Sequence, residues 1–276
     1  MSRTTAILGK GGVGKTFVAA HIAMSLGYMG VKTLLVGCDL KGDALRALSG
    51  EERPSLMDAL QVSRFAYDEL SLADLTAKVS DHVDVLELGA PQLLNGHFGN
   101  VLDEAFHTFD LHQVWDAYDQ IVFDVTEERF DGNITPLLRR VENGIAVTSE
   151  TQESMFVLNR LVRAVLIASN ELSTPTKILG VINNRSVNPV TFQDYTEKTR
   201  LFPMLTIPDL EELGNLRRFH RTLLTLEREP PHLKPIVDGF IQIADMLRVD
   251  PMVLYQLSPL PDSEIWKLRT PGALLV

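Results

Sequence analysis

The sequence predicts an α/β fold: a mostly parallel β-sheet with helices on both faces. Three observations carry that expectation. Apolar runs of strand length recur along the 276 residues, and several are apolar throughout, as strands covered on both faces must be. Between them lie segments whose apolar residues fall three and four apart, the period of a helix packed on one side. The first strand-like run then leads directly into a glycine-rich loop and a helix, the setting of a phosphate-binding loop.

In chain order, strands are expected at Thr4–Leu8, Thr33–Gly37, Val83–Leu88, Gln120–Val125, Gly144–Thr148, Ile178–Asn183 and Met204–Ile207. Helical spacing is clearest from Phe17 to Leu26, from Met155 to Ile167 and from Ile236 to Leu247. No repeat and no Gly/Ser- or Pro-rich linker breaks this alternation, so residues 1–250 read as one domain. Residues 251–276 read as a tail with a Ser263–Leu268 stretch able to form one or two helical turns. This tail is expected to pack on the domain or to contact a partner. On sheets of this kind ligands lie at the carboxyl ends of the strands.

Composition narrows the function classes. With 45% hydrophobic and 22% charged residues, the chain has an ordinary globular balance and can bury a core without disulfides or a structural metal. Its 26 Lys and Arg against 36 Asp and Glu give a net charge of −10. That balance argues against broad binding to nucleic acid or anionic membrane. The densest basic cluster, Arg217-Arg218-Phe219-His220-Arg221, follows the acidic pair Glu211-Glu212 and reads as a solvated helix face or a dimer contact. No apolar run approaches the ~20 residues that span a bilayer. Met1-Ser2-Arg3 leads into a strand, so the expectation is a cytoplasmic protein without stable membrane insertion. Cys38 is the only cysteine, which excludes an intrachain disulfide, a CxxC motif and a cluster held by four cysteines of one chain.

Gly9-Lys10-Gly11-Gly12-Val13-Gly14-Lys15-Thr16 satisfies the GxxxxGK[ST] pattern between the first strand and the first helix. Glycines let the backbone N–H groups from Gly9 through Gly14 close around an anion, and the helix N-terminus adds partial positive charge. Lys15 is expected against the β- and γ-phosphates of a nucleotide, with the Thr16 hydroxyl on Mg²⁺.

The second lysine, in KGGVGKT, resembles the deviant phosphate loop of the superfamily that contains ParA, MinD and the nitrogenase iron protein. There it reaches across a dimer interface to the partner's nucleotide, which is the role the resemblance implies for Lys10. Gly37-Cys38-Asp39-Leu40-Lys41-Gly42-Asp43 is similar to the GCDPKAD segment of the nitrogenase iron protein and of the reductase subunits of chlorophyll synthesis. Similarity continues at Phe123-Asp124-Val125, Thr148-Ser149-Glu150, Gly180-Val181-Ile182-Asn183-Asn184-Arg185 and Ile207-Pro208-Asp209, from about residue 4 to 250. The resemblance implies Asp39 near the attacking water, Asp43 in the metal's outer shell, Asp124 orienting Mg²⁺ through water, and Lys41 as a nucleotide contact. Asn183 or Asn184 falls where an amide reads adenine, with Pro208 and Asp209 on the loop over the base. The bland alternatives are a helix N-cap for Asp43 and turn chemistry for the two asparagines.

The sequence also departs from that family. Its reductases hold a [4Fe–4S] cluster between two protomers, two cysteines from each; here His97 and Asp131 stand at those positions, so no cluster is expected. Two copies of each residue would supply four ligands for a divalent ion; the alternative is simple replacement at a surface freed from holding a cluster. Relatives carry a glycine three positions after the Walker B aspartate, where this chain has Glu127, while Glu128 stands where a carboxylate base is placed. The reading is a homodimeric Mg·ATP-dependent ATPase switch that docks an unidentified protein partner, with no nucleic acid expected. A non-hydrolysing regulatory or scaffold protein, a ParA/MinD-type positioning ATPase and a reductase component with a non-cysteine cofactor are the alternatives.

Overall fold

A computed structural model describes residues 2–39, 42–89, 98–125, 135–169, 176–226, 230–249 and 256–269. Its strands are β1 (Arg3–Gly9), β2 (Thr33–Gly37), β3 (Ala77–Lys78), β4 (Val83–Glu87), β5 (Gln120–Asp124), β6 (Asn143–Thr148), β7 (Lys177–Ser186) and β8 (Pro203–Pro208). They form one sheet in the order β3-β4-β2-β5-β1-β6-β7-β8. Every pair is parallel except β3 with β4, a two-residue antiparallel edge too short to leave a period in the sequence. The helices are α1 (Lys15–Tyr28), α2 (Asp43–Ser49), α3 (Leu56–Val62), α4 (Leu72–Leu75), α5 (Phe98–Leu111), α6 (Val114–Ala117) and α7 (Thr135–Leu138), then α8 (Gln152–Ser169), α9 (Val190–Thr199), α10 (Glu211–Arg218), α11 (Lys234–Arg248) and α12 (Asp262–Ile265).

Alternation along the central strands builds two apolar cores, one on each face. Leu8, Leu34, Val36 and Phe123 point to the side covered by α5 and α8, with Phe106, Phe109 and Leu158 packed on them. Ile7, Leu35 and Val122 point to the other side, against Val18, Ile22 and Leu26 of α1 and Phe240 and Ile243 of α11. This two-sided burial explains why these strands read as continuous apolar runs. β7 extends to Ser186, past the apolar stretch, because its polar end keeps pairing with β8 as far as Pro208.

The described part of the C-terminal segment lies on α8 and α9. Ile265 and Leu268 are buried in the first core, and Asn159 exchanges two hydrogen bonds with the backbone of Leu260. Arg269 donates to Asp194, a carboxylate that Lys198 also pairs. Among the described residues no helix is long and apolar enough to cross a membrane.

Candidate functional site

The parallel order places the ends of β1, β2, β4 and β5 side by side, and the glycine-rich loop rises from β1 between them. Gly9 lets β1 run close to β6: a Cβ there would stand 2.2 Å from the Val147 carbonyl oxygen. Gly14, at φ 93, is the residue before α1 and supplies no side-chain cap, and the first turn of α1 has no acidic residue. The partial positive charge of that helix N-terminus is therefore not offset by a side-chain cap or a first-turn acid and favours an anion. Lys15 is 5% exposed, and its Nζ donates to the Lys10 carbonyl at 2.8 Å, folding the ammonium back over the loop. Asn184 braces the loop from β7 by donating to the Val13 carbonyl at 2.6 Å.

Acidic groups face this cationic end. Asp124, at the end of β5, is 1% exposed and hydrogen-bonded to the Thr16 hydroxyl. Burial pushes its carboxyl up to about 6; Thr16 and Lys15 pull it down, while Asp39 and Asp43 push it further up. Its Oδ1 has no hydrogen-bond partner among the described residues, an unusual state for a buried carboxylate oxygen. No three described His, Cys, Asp or Glu side chains close into a metal-binding group by themselves. The donor set fits a hard cation that takes one or two carboxylates and a hydroxyl, and completes its shell with water and phosphate oxygens, the habit of Mg²⁺.

A cavity of about 440 Å³ opens here, and Gly11, Gly12, Gly14, Lys15, Thr16, Asp39 and Asp43 all line it. The structure thus brings most of the sequence-expected phosphate and metal residues around one space. It does not bring the expected base-reading residues there. Asn183 is fully buried and donates to Glu150 at 3.0 Å; Asn184 is committed to Val13. Pro208 pairs within the sheet and the Asp209 backbone N–H donates to the Ser186 carbonyl. Neighbouring strand residues face opposite sides of the sheet, so the two amides serve two different loops. Lys41, His97, Glu128 and Asp131 lie outside the described residues.

Beyond the phosphate loop, the cavity is lined by groups that local patterning did not single out as site residues: Phe17 and His21 of α1, Arg46 of α2, and Arg185, His220 and Arg221. The basic cluster is therefore not simply a helix face. α10 ends at Arg218, the chain turns at His220 with φ 54, and Arg221 faces the cavity. His21 fixes that loop. Its Nε2 accepts from the Leu223 N–H at 3.0 Å, which leaves Nδ1 to donate to the Phe17 carbonyl and makes the imidazole neutral. His220 hydrogen-bonds the Arg46 carbonyl, joining the same loop to α2. Lys10, at the start of the phosphate loop, has its Nζ 2.8 Å from Glu153 of α8.

The sequence model of the family described as "4Fe-4S iron sulfur cluster binding proteins, NifH/frxC family" matches residues 3–269. The chain belongs to the NifH/frxC family. It is similar to the light-independent protochlorophyllide reductase iron-sulfur ATP-binding protein of Pelodictyon phaeoclathratiforme, 28% identical over 274 residues, covering 97% of this chain and 98% of the relative. The protein of the same description from Methylorubrum extorquens is 28% identical over 246 residues, covering 89% and 82%. Among solved structures, the chain resembles the septum site-determining protein MinD with Mg-ADP from Pyrococcus horikoshii (TM-score 0.65, 20% identity, 90% of this chain and 96% of that one). It also resembles a ParA family ATPase from Chlorobium tepidum (TM-score 0.68, 19% identity, 88% and 99%). These two likenesses establish the fold: that of the MinD and ParA phosphate-loop ATPases.

The cluster in the family's description does not fit this member's donors. Cys38 is the one cysteine, 1% exposed in the core at the end of β2, with its thiol directed to the Val36 carbonyl. Two copies would bring two buried thiols, where a [4Fe–4S] centre takes four cysteine thiolates.

Proposed function

We propose that this NifH/frxC family member is a homodimeric Mg·ATP-dependent ATPase switch that works without a [4Fe–4S] cluster and couples its nucleotide state to docking of a protein partner. The carrying observation is a cavity lined by an uncapped helix N-terminus with Lys15 and Thr16, next to the buried Asp124, which hydrogen-bonds Thr16 and whose Oδ1 lacks a partner among the described residues. In this reading Lys15 leaves the Lys10 carbonyl for the β- and γ-phosphates. Thr16, with Asp43 and Asp124 through water, holds Mg²⁺, which supplies charge neutralisation on the phosphates. Asp39 orients the attacking water, with Glu128 as a candidate base, and Asn184 contributes by bracing Val13.

Lys10 is assigned to the partner protomer's phosphates. To reach them it exchanges Glu153, an ion pair whose side chains are 26% and 69% exposed and so weak enough to give up. The second reading, a nucleotide-bound regulator that does not hydrolyse, is favoured by Glu127 where relatives carry a glycine that serves the γ-phosphate.

The test is nucleotide titration beside sedimentation, with ATP, ADP and no nucleotide. Lys15→Ala is expected to weaken ATP binding by about one to two decades, the worth of a charge-assisted contact of ~1.5–3 kcal/mol. Lys10→Ala should keep the affinity of the monomer and lose ATP-dependent compaction or dimerisation. Wild-type closure in Lys10→Ala would remove the cross-dimer assignment. Asp39→Asn should lower turnover more than affinity; no wild-type turnover with any candidate partner would favour the second reading. Iron and sulfide at about four per dimer in anaerobically produced protein would overturn the cluster-free assignment.

A further inference from the structure

We propose that Glu87 is a positioning residue: from the end of β4 its carboxylate holds the N-terminus of α2, and with it Asp43 and Arg46, in place against the phosphate-loop cavity. This rests on reading that cavity as a Mg·ATP site.

Glu87 pairs in register with Gly37, the last residue of β2, and is 4% exposed. Its side chain lies across the β2 end rather than along its own strand. A Cβ on Gly37 would come within 1.9 Å of Glu87 Oε2, so the crossing needs a residue without a side chain at that point. Oε1 accepts from the Leu45 N–H at 2.6 Å, and the Ala44 N–H also hydrogen-bonds the carboxylate. These are first-turn donors of α2, which that helix cannot satisfy itself: the residue before it is Gly42, at φ 64, with no side chain to cap it.

A Ser, Thr or Asn at position 42 would cap the helix locally and cheaply. Instead the cap is a buried acid from a neighbouring strand, held near Asp124 and Asp43, whose charges oppose its ionisation. Burial together with two like charges is costly. What this arrangement gives, and a local cap would not, is a fixed distance between α2 and the ends of β2 and β4. Asp43 opens α2, Arg46 lies one turn on, and both line the cavity beside Lys15 and Thr16. The position of α2 therefore sets whether Asp43 can join the cation shell around Thr16 and Asp124.

The experiment compares wild type, Glu87→Ala and Glu87→Gln by ATP affinity with Mg²⁺ and with EDTA, and by hydrogen exchange over residues 43–49. Glu87→Ala is expected to bind ATP in EDTA within about twofold of wild type, and to lose about tenfold or more of affinity in Mg²⁺. Its Ala44 and Leu45 amides should exchange about tenfold faster while those of α1 are unchanged. Glu87→Gln keeps an oxygen that accepts from Leu45 and should recover most of both effects; it also serves as the test should Glu87→Ala fail to fold. Equal losses with Mg²⁺ and with EDTA, or unchanged Mg²⁺ dependence in a variant whose α2 has loosened, would overturn the positioning role. Wild-type protein that binds no ATP at all would instead overturn the reading of the cavity, and the proposal with it.

Discussion

Glu87 and Glu150 flank the phosphate loop, one at the end of β4 and the other just past β6, and their carboxyls titrate in opposite directions. Burial pushes Glu87 up to about 7, a rise that Asp124 and Asp43 reinforce against the bonds from Leu45 and Ala44. Burial alone would raise Glu150 as well, but donors outnumber it: Ser186, Asn188, Val187 and Asn183 all hydrogen-bond the carboxylate and hold it below its ordinary value. One flank has saturated its acid and thereby locked the loop that follows β7. The other keeps acids under-coordinated, with Oε2 of Glu87 and Oδ1 of Asp124 lacking partners among the described residues. A saturated carboxylate is architecture; in the proposed reading Glu87 positions α2, and the under-coordinated Asp124 beside the phosphate loop belongs to a site that Mg²⁺ completes.

The sharpest way to break this contrast is to neutralise each flank. Asp124→Asn is expected to cost about tenfold or more in Mg²⁺-supported ATP affinity, while ATP binding in EDTA changes little. Glu150→Gln should leave both affinities close to wild type. If the two substitutions behave alike in a Mg²⁺ titration, the division into site and scaffold is wrong.

Glu150→Ala should act on stability instead. It strands the fully buried Asn183 amide, at a cost of about 1–3 kcal/mol in denaturant unfolding, while water takes over the exposed N–H groups of Val187 and Asn188. Its pH signature has a definite sign. A carboxyl held below its ordinary 4.5 in the folded state contributes stability above that value and loses it as pH falls through the lower, folded one. Wild type should therefore lose stability on acidification below about 4.5, and Glu150→Gln should lose less of it over the same range.

Asp194 extends the comparison to the tail. Burial raises its carboxyl, yet Lys198 and the backbone and side chain of Arg269 together hold it below its usual range, as donors do for Glu150. Arg269→Ala removes one donor and keeps two, so the expected loss is about 0.5–1 kcal/mol, with faster proteolysis confined to residues 256–269. The smallest effect belongs to the exposed Lys10–Glu153 pair: Glu153→Ala should change unfolding free energy by less than about 0.5 kcal/mol. A larger change would mean that the pair is structural and Lys10 is not held in reserve.

Much of this molecule is legible from local pattern. The seven long strands fall within a few residues of their expected positions, because each is a run of apolar side chains covered on both faces. The phosphate loop is equally legible, since its function is written into consecutive glycines, a lysine and a threonine. Asp124 is readable as an acid at a strand end. Glu150 and Glu87 are not. Nothing near Glu150 announces that donors more than thirty residues away, at Asn183 to Asn188, will converge on it. Nothing near Glu87 announces that it caps a helix that begins at Asp43.

The same limit explains the base-side residues. The sequence places two asparagines at the end of a strand, and their amide chemistry suits a nucleobase. Only the neighbours of β7 decide that Asn183 turns to Glu150 and Asn184 to Val13, leaving His220 and Arg221 to line the cavity from a loop that the sequence shows only as a basic cluster. What the sequence determined by itself was therefore whatever depends on near neighbours along the chain: strand and helix periods, the phosphate loop, the lone cysteine and the charge. The tertiary structure decided which acids are saturated and which are left under-coordinated. Hydrogen bonding and burial are set by atoms that meet across the sheet, and their distance in sequence carries no information about that meeting.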